Sequence, residues 1–240
     1  RQVMTQTKGR IILFPVPMGD VAPADVLPAR NIELLRGVRH FVVENLRSAR
    51  RFLRAAVPGF DIDGSSFTEL SEHTPRAEVA AMLQPALEGH DIGVVSEAGC
   101  PAVADPGADL VAEAQQAGLE VVPLVGPSSI IMSLMASGFN GQDFAFAGYL
   151  PIDAEQRRSC LRRMEREVRS AGRTYIFIET PYRNNRLIAE MARTLSPASM
   201  LCVASDITGP QQNIRTMSVA EWASADYNYD KKPTIFLIGR

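Results

Sequence analysis

Glu97 and Asp105 bracket a turn rich in glycine and proline, Ser96-Glu97-Ala98-Gly99-Cys100-Pro101-Ala102-Val103-Ala104-Asp105-Pro106-Gly107, which follows directly on the apolar run Ile92–Val95. An apolar strand that ends in a carboxylate-bearing turn is how open α/β sheets build ligand sites at the carboxyl ends of their strands. Two more Pro/Gly turns of this kind occur, Pro15–Asp20 and Val125–Ser129, each after an apolar stretch. Three such turns after three strands point to a single cleft.

Familiar phosphate cradles are missing. There is no GxGxxG after the first strand and no GxxxxGK[ST], which argues against dinucleotide binding and P-loop hydrolysis. No GxSxG elbow exists, and His40, His73 and His90 are scattered without a nucleophile partner. The three cysteines, Cys100, Cys160 and Cys202, form no CxxC pair and have no histidine at ligand spacing, so the sequence predicts reduced thiols rather than a disulfide framework or a zinc site. The chemistry must therefore lie in backbone-rich turns.

The elements that position these turns follow from periodicity. Strands are expected over Arg10–Met18, Val38–Glu44, Ile92–Glu97 and Leu119–Val125, with a short one at most over Phe67–Leu70. Helices are expected over Leu27–Arg36, Leu46–Ala56, Gly107–Ala117 and Ile130–Ala136, and over a stretch opened by Thr74 as cap and Pro75 and running to Leu87. Strand and helix thus alternate, which predicts a mostly parallel sheet with helices on both faces. Beyond Asn140-Gly141-Gln142 the pattern changes. Strands over Phe144–Leu150, Thr174–Glu179, Met200–Ile207, Asn213–Met217 and Thr234–Gly239 surround helices over Ala154–Ala171, Asn184–Leu195 and Val219–Ala225. Runs of strands with few helices between them predict a mixed sheet with antiparallel pairs. The expected fold class is α/β with two domains, 1–140 and 141–240.

With 240 residues, 46% of them hydrophobic, the chain has ample material for packed cores. Its apolar runs are far shorter than a membrane span and Arg1–Arg10 is polar, so a cytoplasmic protein with no membrane partner is expected. The formal net charge of −2 does not advertise nucleic acid, but the distribution is uneven. Arg47, Arg50, Arg51 and Arg54 share one helix face, and seven arginines between Arg157 and Arg173 crowd another helical stretch. Such runs are usually solvated faces; the alternative is a surface that contacts phosphate.

Five segments together carry a resemblance. Pro17-Met18-Gly19-Asp20, Val94–Pro101, Ala104-Asp105-Pro106-Gly107, Gly126-Pro127-Ser128-Ser129 and Phe177–Arg183 resemble, in order and spacing, the signature of the tetrapyrrole methylase superfamily. Within it the likeness is to the branch that methylates small-subunit ribosomal RNA. The resemblance implies two α/β domains with S-adenosylmethionine in the cleft between them, and a homodimer. It implies cofactor contacts at Pro17, Met18, Gly19, Glu97, Ala98, Gly99, Cys100, Val103, Asp105, Ser128, Ser129, Glu179, Thr180 and Pro233. Small residues there let backbone groups approach an adenine edge and a zwitterionic tail. Asp105-Pro106-Gly107 has a second reading, as the start of a helix.

Methyl transfer needs positioning and a base for the acceptor's proton. Glu44, Glu179 and His73 are the candidates, with Glu72 beside His73; Glu44 and Glu179 could equally just end their strands. The arginine face Arg47, Arg50, Arg51 and Arg54, together with Arg183, favours an RNA acceptor, with a ribose 2′-hydroxyl of small-subunit rRNA as first choice. Methylation of a tetrapyrrole or other small molecule, and non-catalytic cofactor or RNA binding, are the alternatives. Where the resembled branch reads E-D-T-R this chain has Glu44-Asn45-Leu46-Arg47, and where it reads S-D-A-G-T-P this chain has Ser96-Glu97-Ala98-Gly99-Cys100-Pro101. Its lysine-rich stretch is here Ser205–Gln211, without a lysine.

Overall fold

The computed structural model describes residues 7–240; residues 1–6 of the polar N-terminal stretch lie outside the described residues. The chain divides into two compact units between Ser128 and Ser129.

The first unit holds β1 (Ile11–Phe14), α1 (Pro23–Val26), α2 (Ala29–Leu35), β2 (His40–Val43), α3 (Leu46–Ala56), β3 (Ser66–Glu69), α4 (Arg76–Ala81), α5 (Gln84–Leu87), β4 (Ile92–Val95), α6 (Gly107–Gln116) and β5 (Val121–Pro123). Its five strands are all parallel, in the order β3-β2-β4-β1-β5. The strands are nearly continuous hydrophobic runs because both faces are covered. Phe52 and Leu53 of α3 and Leu35 of α2 pack with Ile12, Phe14 and Phe41 on one face. Val79 and Leu83 join Leu110 and Ala114 of α6 against Ile11, Val42 and Val94 on the other. Neighbouring β1 and β4 send their following connections opposite ways, from β1 past β4 to β2 and from β4 past β1 to β5. A crevice opens at such a reversal, at the carboxyl ends of the strands.

Local chemistry adjusts several expected boundaries. The helix expected from Pro75 to Leu87 is two pieces, α4 and α5, broken at Met82-Leu83 ahead of Pro85, which has no N–H to continue the ladder. Thr74 does not cap it: Thr74 Oγ1 accepts instead from the Ser71 N–H at 3.0 Å, and Pro75 occupies the cap position. Asn45 caps α3, its Oδ1 accepting from the Ser48 N–H at 2.9 Å.

The second unit holds α7 (Ser129–Ser137), β6 (Phe144–Tyr149), α8 (Ala154–Ala171), β7 (Thr174–Ile178), α9 (Asn184–Thr194), β8 (Met200–Ser205), β9 (Asn213–Ser218), α10 (Val219–Ser224) and β10 (Thr234–Gly239). Its sheet, β6-β7-β10-β8-β9, is mixed: only the β6/β7 pair is parallel. Leu161, Met164 and Leu187 from α8 and α9 cover one face with Phe177 and Phe236. Helix α7 covers the other, Leu134 packing on Ile176, Cys202 and Leu237. This is why the division precedes α7 rather than falling near Asn140: the helix buries its apolar side in the second sheet, and the Thr216 hydroxyl donates to the Ser137 carbonyl at 2.7 Å.

The arginine-rich α8 is no uniform solvated face. Arg157 is largely buried, donating to Glu190 Oε2 at 2.7 Å and to the Ile152 carbonyl at 2.7 Å, so it fastens α8 to α9 and to the preceding loop. Arg163 pairs with Glu167, Arg169 with Glu165 and Arg173 with Asp143. No helix among the described residues is long and apolar enough to cross a membrane.

Candidate functional site

The three Pro/Gly turns of the first unit meet at the carboxyl ends of β1, β4 and β5. Val16 and Gly99 exchange both backbone hydrogen bonds, 3.0 and 3.1 Å, which stitches the turn after β1 to the turn after β4. The Cys100 thiol donates to the Pro127 carbonyl at 3.3 Å, which ties the second turn to the third. Burial pushes the Cys100 thiol up, so it stays a neutral donor here. Buried Asn31, on α2, donates through Nδ2 to the Val125 carbonyl at 2.8 Å and steadies the third turn from behind. Asn31→Ala leaves that carbonyl without its donor and is expected to lower stability by about 1–2 kcal/mol, read as a lower Tm; an unchanged melt would show that water replaces the amide.

The turn after β4 is tightly wound. Gly99, Ala102 and Ala104 have φ of 67°, 66° and 52°. This left-handed backbone costs an alanine energy and persists only where neighbours enforce it. The enforcing groups are two carboxyls. Glu44 Oε2, at the end of β2, accepts from the Glu97 N–H at 3.0 Å, and Asp105 Oδ2 accepts from the Ala102 N–H at 2.6 Å. Asp105 also accepts from the Gly107 N–H, while α6 begins at Gly107 with Pro106 in the cap position. Both readings of Asp105-Pro106-Gly107 thus apply: it starts the helix and holds the loop before it. Glu44 and Asp105 are close enough for each carboxyl to shift the other. Burial raises both carboxyls above their ordinary range, and the negative charge of Asp105 raises Glu44 further.

In front of this cluster lies a cavity of about 530 Å³, lined by Val16–Val21, Ser48, Arg51, Phe52 and Ser96-Glu97-Ala98 among others. Its size lies within the range of small-molecule sites, and its wall mixes apolar Met18 and Phe52 with the carboxylates of Asp20 and Glu97. A nucleoside bearing a cationic, zwitterionic tail suits such a donor set. A Cβ built on Gly99 would come within 3.2 Å of the Pro127 carbonyl and 3.7 Å of the Met18 side chain, so only glycine lets these turns close as they do.

Of the expected cofactor residues, Pro17, Met18, Gly19, Glu97 and Ala98 line the cavity. Gly99, Cys100 and Asp105 build the turns that shape it, and Val103 is exposed on the same loop. Ser128 closes the first unit and Ser129 opens α7 in the second. Glu179, Thr180 and Pro233 gather at one end of the second sheet, where the Lys231 N–H donates to the Pro181 carbonyl at 3.0 Å and the Asp206 N–H to the Pro233 carbonyl at 2.9 Å.

The three candidate bases have separate fates. Glu44 holds the loop amide of Glu97. His73 lies on an exposed turn, its Nε2 3.4 Å from Glu72, and no hydrogen bond among the described residues links it to Glu44. Glu179 Oε1 accepts from the Thr180 N–H at 2.7 Å, while Oε2 has no hydrogen-bond partner among the described residues. Among the arginines, Arg51 lines the cavity; Arg47, Arg54 and Arg183 are exposed. Arg50 is half-buried with its guanidinium 5.4 Å from the centre of the Phe67 ring, so it serves packing. Sequence reasoning missed Asn31, Asp20 and the Glu44–Asp105 pairing; only Asp20, inside the first turn, carried a local signal. No group of His, Cys, Asp and Glu among the described residues is arranged to hold a metal ion.

Comparisons with known proteins agree with this geometry. Residues 12–223 match the family Tetrapyrrole (Corrin/Porphyrin) Methylases. A protein named ribosomal RNA small subunit methyltransferase I from Vibrio cholerae is 31% identical over 239 residues, 98% of this chain and 79% of that protein. Its namesake from Pseudomonas aeruginosa is 29% identical over 233 residues, 96% of this chain and 78% of that protein. Among solved structures, the methyltransferase CobJ superposes with a TM-score of 0.64 at 18% identity, covering 97% of this chain and 94% of that one. A uroporphyrin-III C-methyltransferase from Thermus thermophilus, complexed with S-adenyl homocysteine, gives 0.57 at 17% identity, covering 97% and 98%. At that identity the likeness is one of fold. Match and motifs together establish that the chain belongs to the tetrapyrrole methylase family.

Proposed function

We propose that the protein is an S-adenosylmethionine-dependent methyltransferase whose acceptor is small-subunit ribosomal RNA, with a ribose 2′-hydroxyl as the methylated group. The observation that carries the cofactor is the cavity at the reversal of the first sheet, walled by Met18, Ala98 and Glu97 and shaped by Gly99 and Gly126. The acceptor rests on the relatives, which bear the name of ribosomal RNA small subunit methyltransferase I over nearly the whole of this chain.

When bound, the cofactor supplies an electrophilic methyl group on a sulfonium. The chain supplies position and charge. Glu97 and Asp20 offer carboxylates toward ribose hydroxyls or a cationic tail, and Met18 and Phe52 exclude water from an apolar body. Glu44 and Asp105 act on the loop that carries Glu97. Acceptance of the hydroxyl's proton we assign to Glu179, whose Oε2 is unengaged. The exposed guanidinium groups of Arg47, Arg51 and Arg54 suit phosphate contacts.

We place the enzyme in the cytoplasm, where its acceptor is made, and propose a homodimer. Exposed Met135, Tyr149 and Ile152 supply apolar surface for association, and sedimentation at the monomer mass would overturn the dimer. The function is tested with methyl-labelled cofactor, small ribosomal subunits and a small-metabolite extract in parallel. Label in the rRNA, recovered after alkaline hydrolysis in resistant dinucleotides as 2′-O-methylation requires, is the expected result. Label confined to small molecules would replace the acceptor, and absence of cofactor binding in calorimetry would remove the enzyme reading.

A further inference from the structure

Away from the three-turn cluster, the second unit has a concavity of about 500 Å³ between the turn joining β8 to β9 and the stretch leading into β10. Both rims are preformed. Asp206 Oδ2 accepts from the Gln211 N–H at 2.8 Å, and Gln212 Oε1 accepts from the Thr208 N–H at 2.8 Å. On the other rim, buried Asn184 donates to the carbonyls of Tyr229 and Lys232 at 2.9 and 2.8 Å, and the Tyr229 N–H donates to Asn185 Oδ1 at 2.8 Å. A rim that is already ordered pays little entropy on binding.

The chemistry of the lining is unusual for an unused hollow. No aspartate or glutamate lines it, while Arg215 and Lys232 do. Tyr227 presents a half-exposed ring lying 5.9 Å from that of Tyr229 at an interplanar angle of 22°, braced edge-on by Trp222. Burial raises the Tyr227 phenol, which keeps it a neutral donor. The side-chain amide of exposed Gln211 has no hydrogen-bond partner among the described residues. A braced aromatic ring, an amide able both to donate and to accept, and two cations in a lining whose nearest rim carboxylate, Asp206, is engaged by the Gln211 N–H match the three faces of a nucleotide: ring, base edge and phosphate. An acidic peptide would use the cations and leave the ring idle.

Resting on the RNA reading above, we propose that this concavity binds an unpaired nucleotide of the acceptor RNA, with Tyr227 stacking on the base, Gln211 meeting its edge and Arg215 and Lys232 holding the phosphate. The site stands beside Ser205–Gln211, the segment in which the resembled lysines are missing, and supplies cations from β9 and from the approach to β10 instead.

The test is binding of a fluorescent single-stranded oligouridylate to the full chain by anisotropy across a salt series. Lys232→Ala is expected to weaken it about tenfold and to lower the salt slope by about one. Tyr227→Leu, which keeps apolar bulk against Trp222, is expected to weaken it about tenfold with the slope unchanged. Thermal melts confirm that each variant is folded, and Gln211→Ala, on an exposed turn, serves as a third variant with a severalfold loss. Wild-type affinity in Lys232→Ala and Tyr227→Leu overturns the site, as does equal competition by polyglutamate. Labelling of small ribosomal subunits by the same proteins is read separately. If the oligonucleotide result holds and the subunits take no label, this site stands and the assigned acceptor falls; if the subunits are labelled and the variants bind like wild type, the reverse follows.

Discussion

Gly126→Ala is expected to weaken S-adenosylmethionine binding at least tenfold in calorimetry and to lower Tm by about 5 °C. A Cβ at this position would stand 2.1 Å from Cβ of Pro15 and 2.5 Å from its Cγ, distances at which atoms must move apart. Little there can yield. Pro15 is a buried ring at the end of β1, and the residue after Gly126 is Pro127, so both sides of the contact have a fixed φ. Relief must come from moving a whole turn, and the turn is tied on every side. Asn31 holds Val125, and Cys100 holds Pro127. Displacing Pro127 by an ångström would break the Cys100 contact and open the gap that Gly99 now closes. The cost is overpacking, about 1–3 kcal/mol, but the loss of cofactor affinity should exceed the loss of stability because the strain passes through Pro15 and Gly99 to the turns that carry the lining. Gly141→Ala is the control: nothing lies within 4 Å of its Cβ and its φ is not positive, so neither quantity should change. Wild-type affinity in Gly126→Ala would mean that the third turn does not shape the site.

Much of this was legible in the sequence because strand, turn and helix are local in α/β units. Ile92–Val95 could only be a doubly covered strand, and Gly99 and Gly126 mark places where backbones meet. What stayed hidden depends on residues far apart in the chain. Arg157 and Glu190 bury one another from two helices, so a charge run that patterning makes solvent-facing is partly a clamp. Glu44 and Asp105 are brought together only when β2 and β4 pair in parallel, and each looked separately like a strand end and a helix start. Helix α7 follows the last turn of the first unit without a break in periodicity, and only its packing assigns it to the second. The turn Tyr227–Lys232 has no period at all, which is why its rim of aromatic and basic side chains carried no signal.

The Glu44–Asp105 pair makes the loop's stability depend on pH in a direction opposite to that of an ordinary salt-bridged carboxylate. Both carboxyls are raised in the folded state, first by burial, and for Glu44 also by the charge of Asp105. Carboxyls raised in this way bind a proton more tightly in the folded state than in the unfolded chain. The stabilisation is therefore complete below the ordinary carboxylate range and is lost as pH rises through the raised values. Glu44→Gln supplies a permanent donor to Asp105 and keeps an oxygen for the Glu97 N–H. Its Tm should match wild type near pH about 4 and exceed it by about 2 °C near pH about 8, a small gain because Glu44 is only half-buried and water screens it. Asp105→Ala is the severe counterpart. It strips the acceptor from the Ala102 and Gly107 amides, releases two alanines from left-handed backbone and removes the proton partner of Glu44. Tm should fall by about 5 °C near pH about 4 and by less near pH about 8, where wild type has itself lost the pair's contribution, and cofactor affinity should fall about tenfold, since Glu97 is carried on the loop that relaxes. Asp105→Asn keeps one acceptor oxygen and should recover most of the stability while losing the pH dependence. A Glu44→Gln melt that tracks wild type across the whole range would show that the two carboxyls titrate independently and that the left-handed turn is held by its neighbours' packing alone.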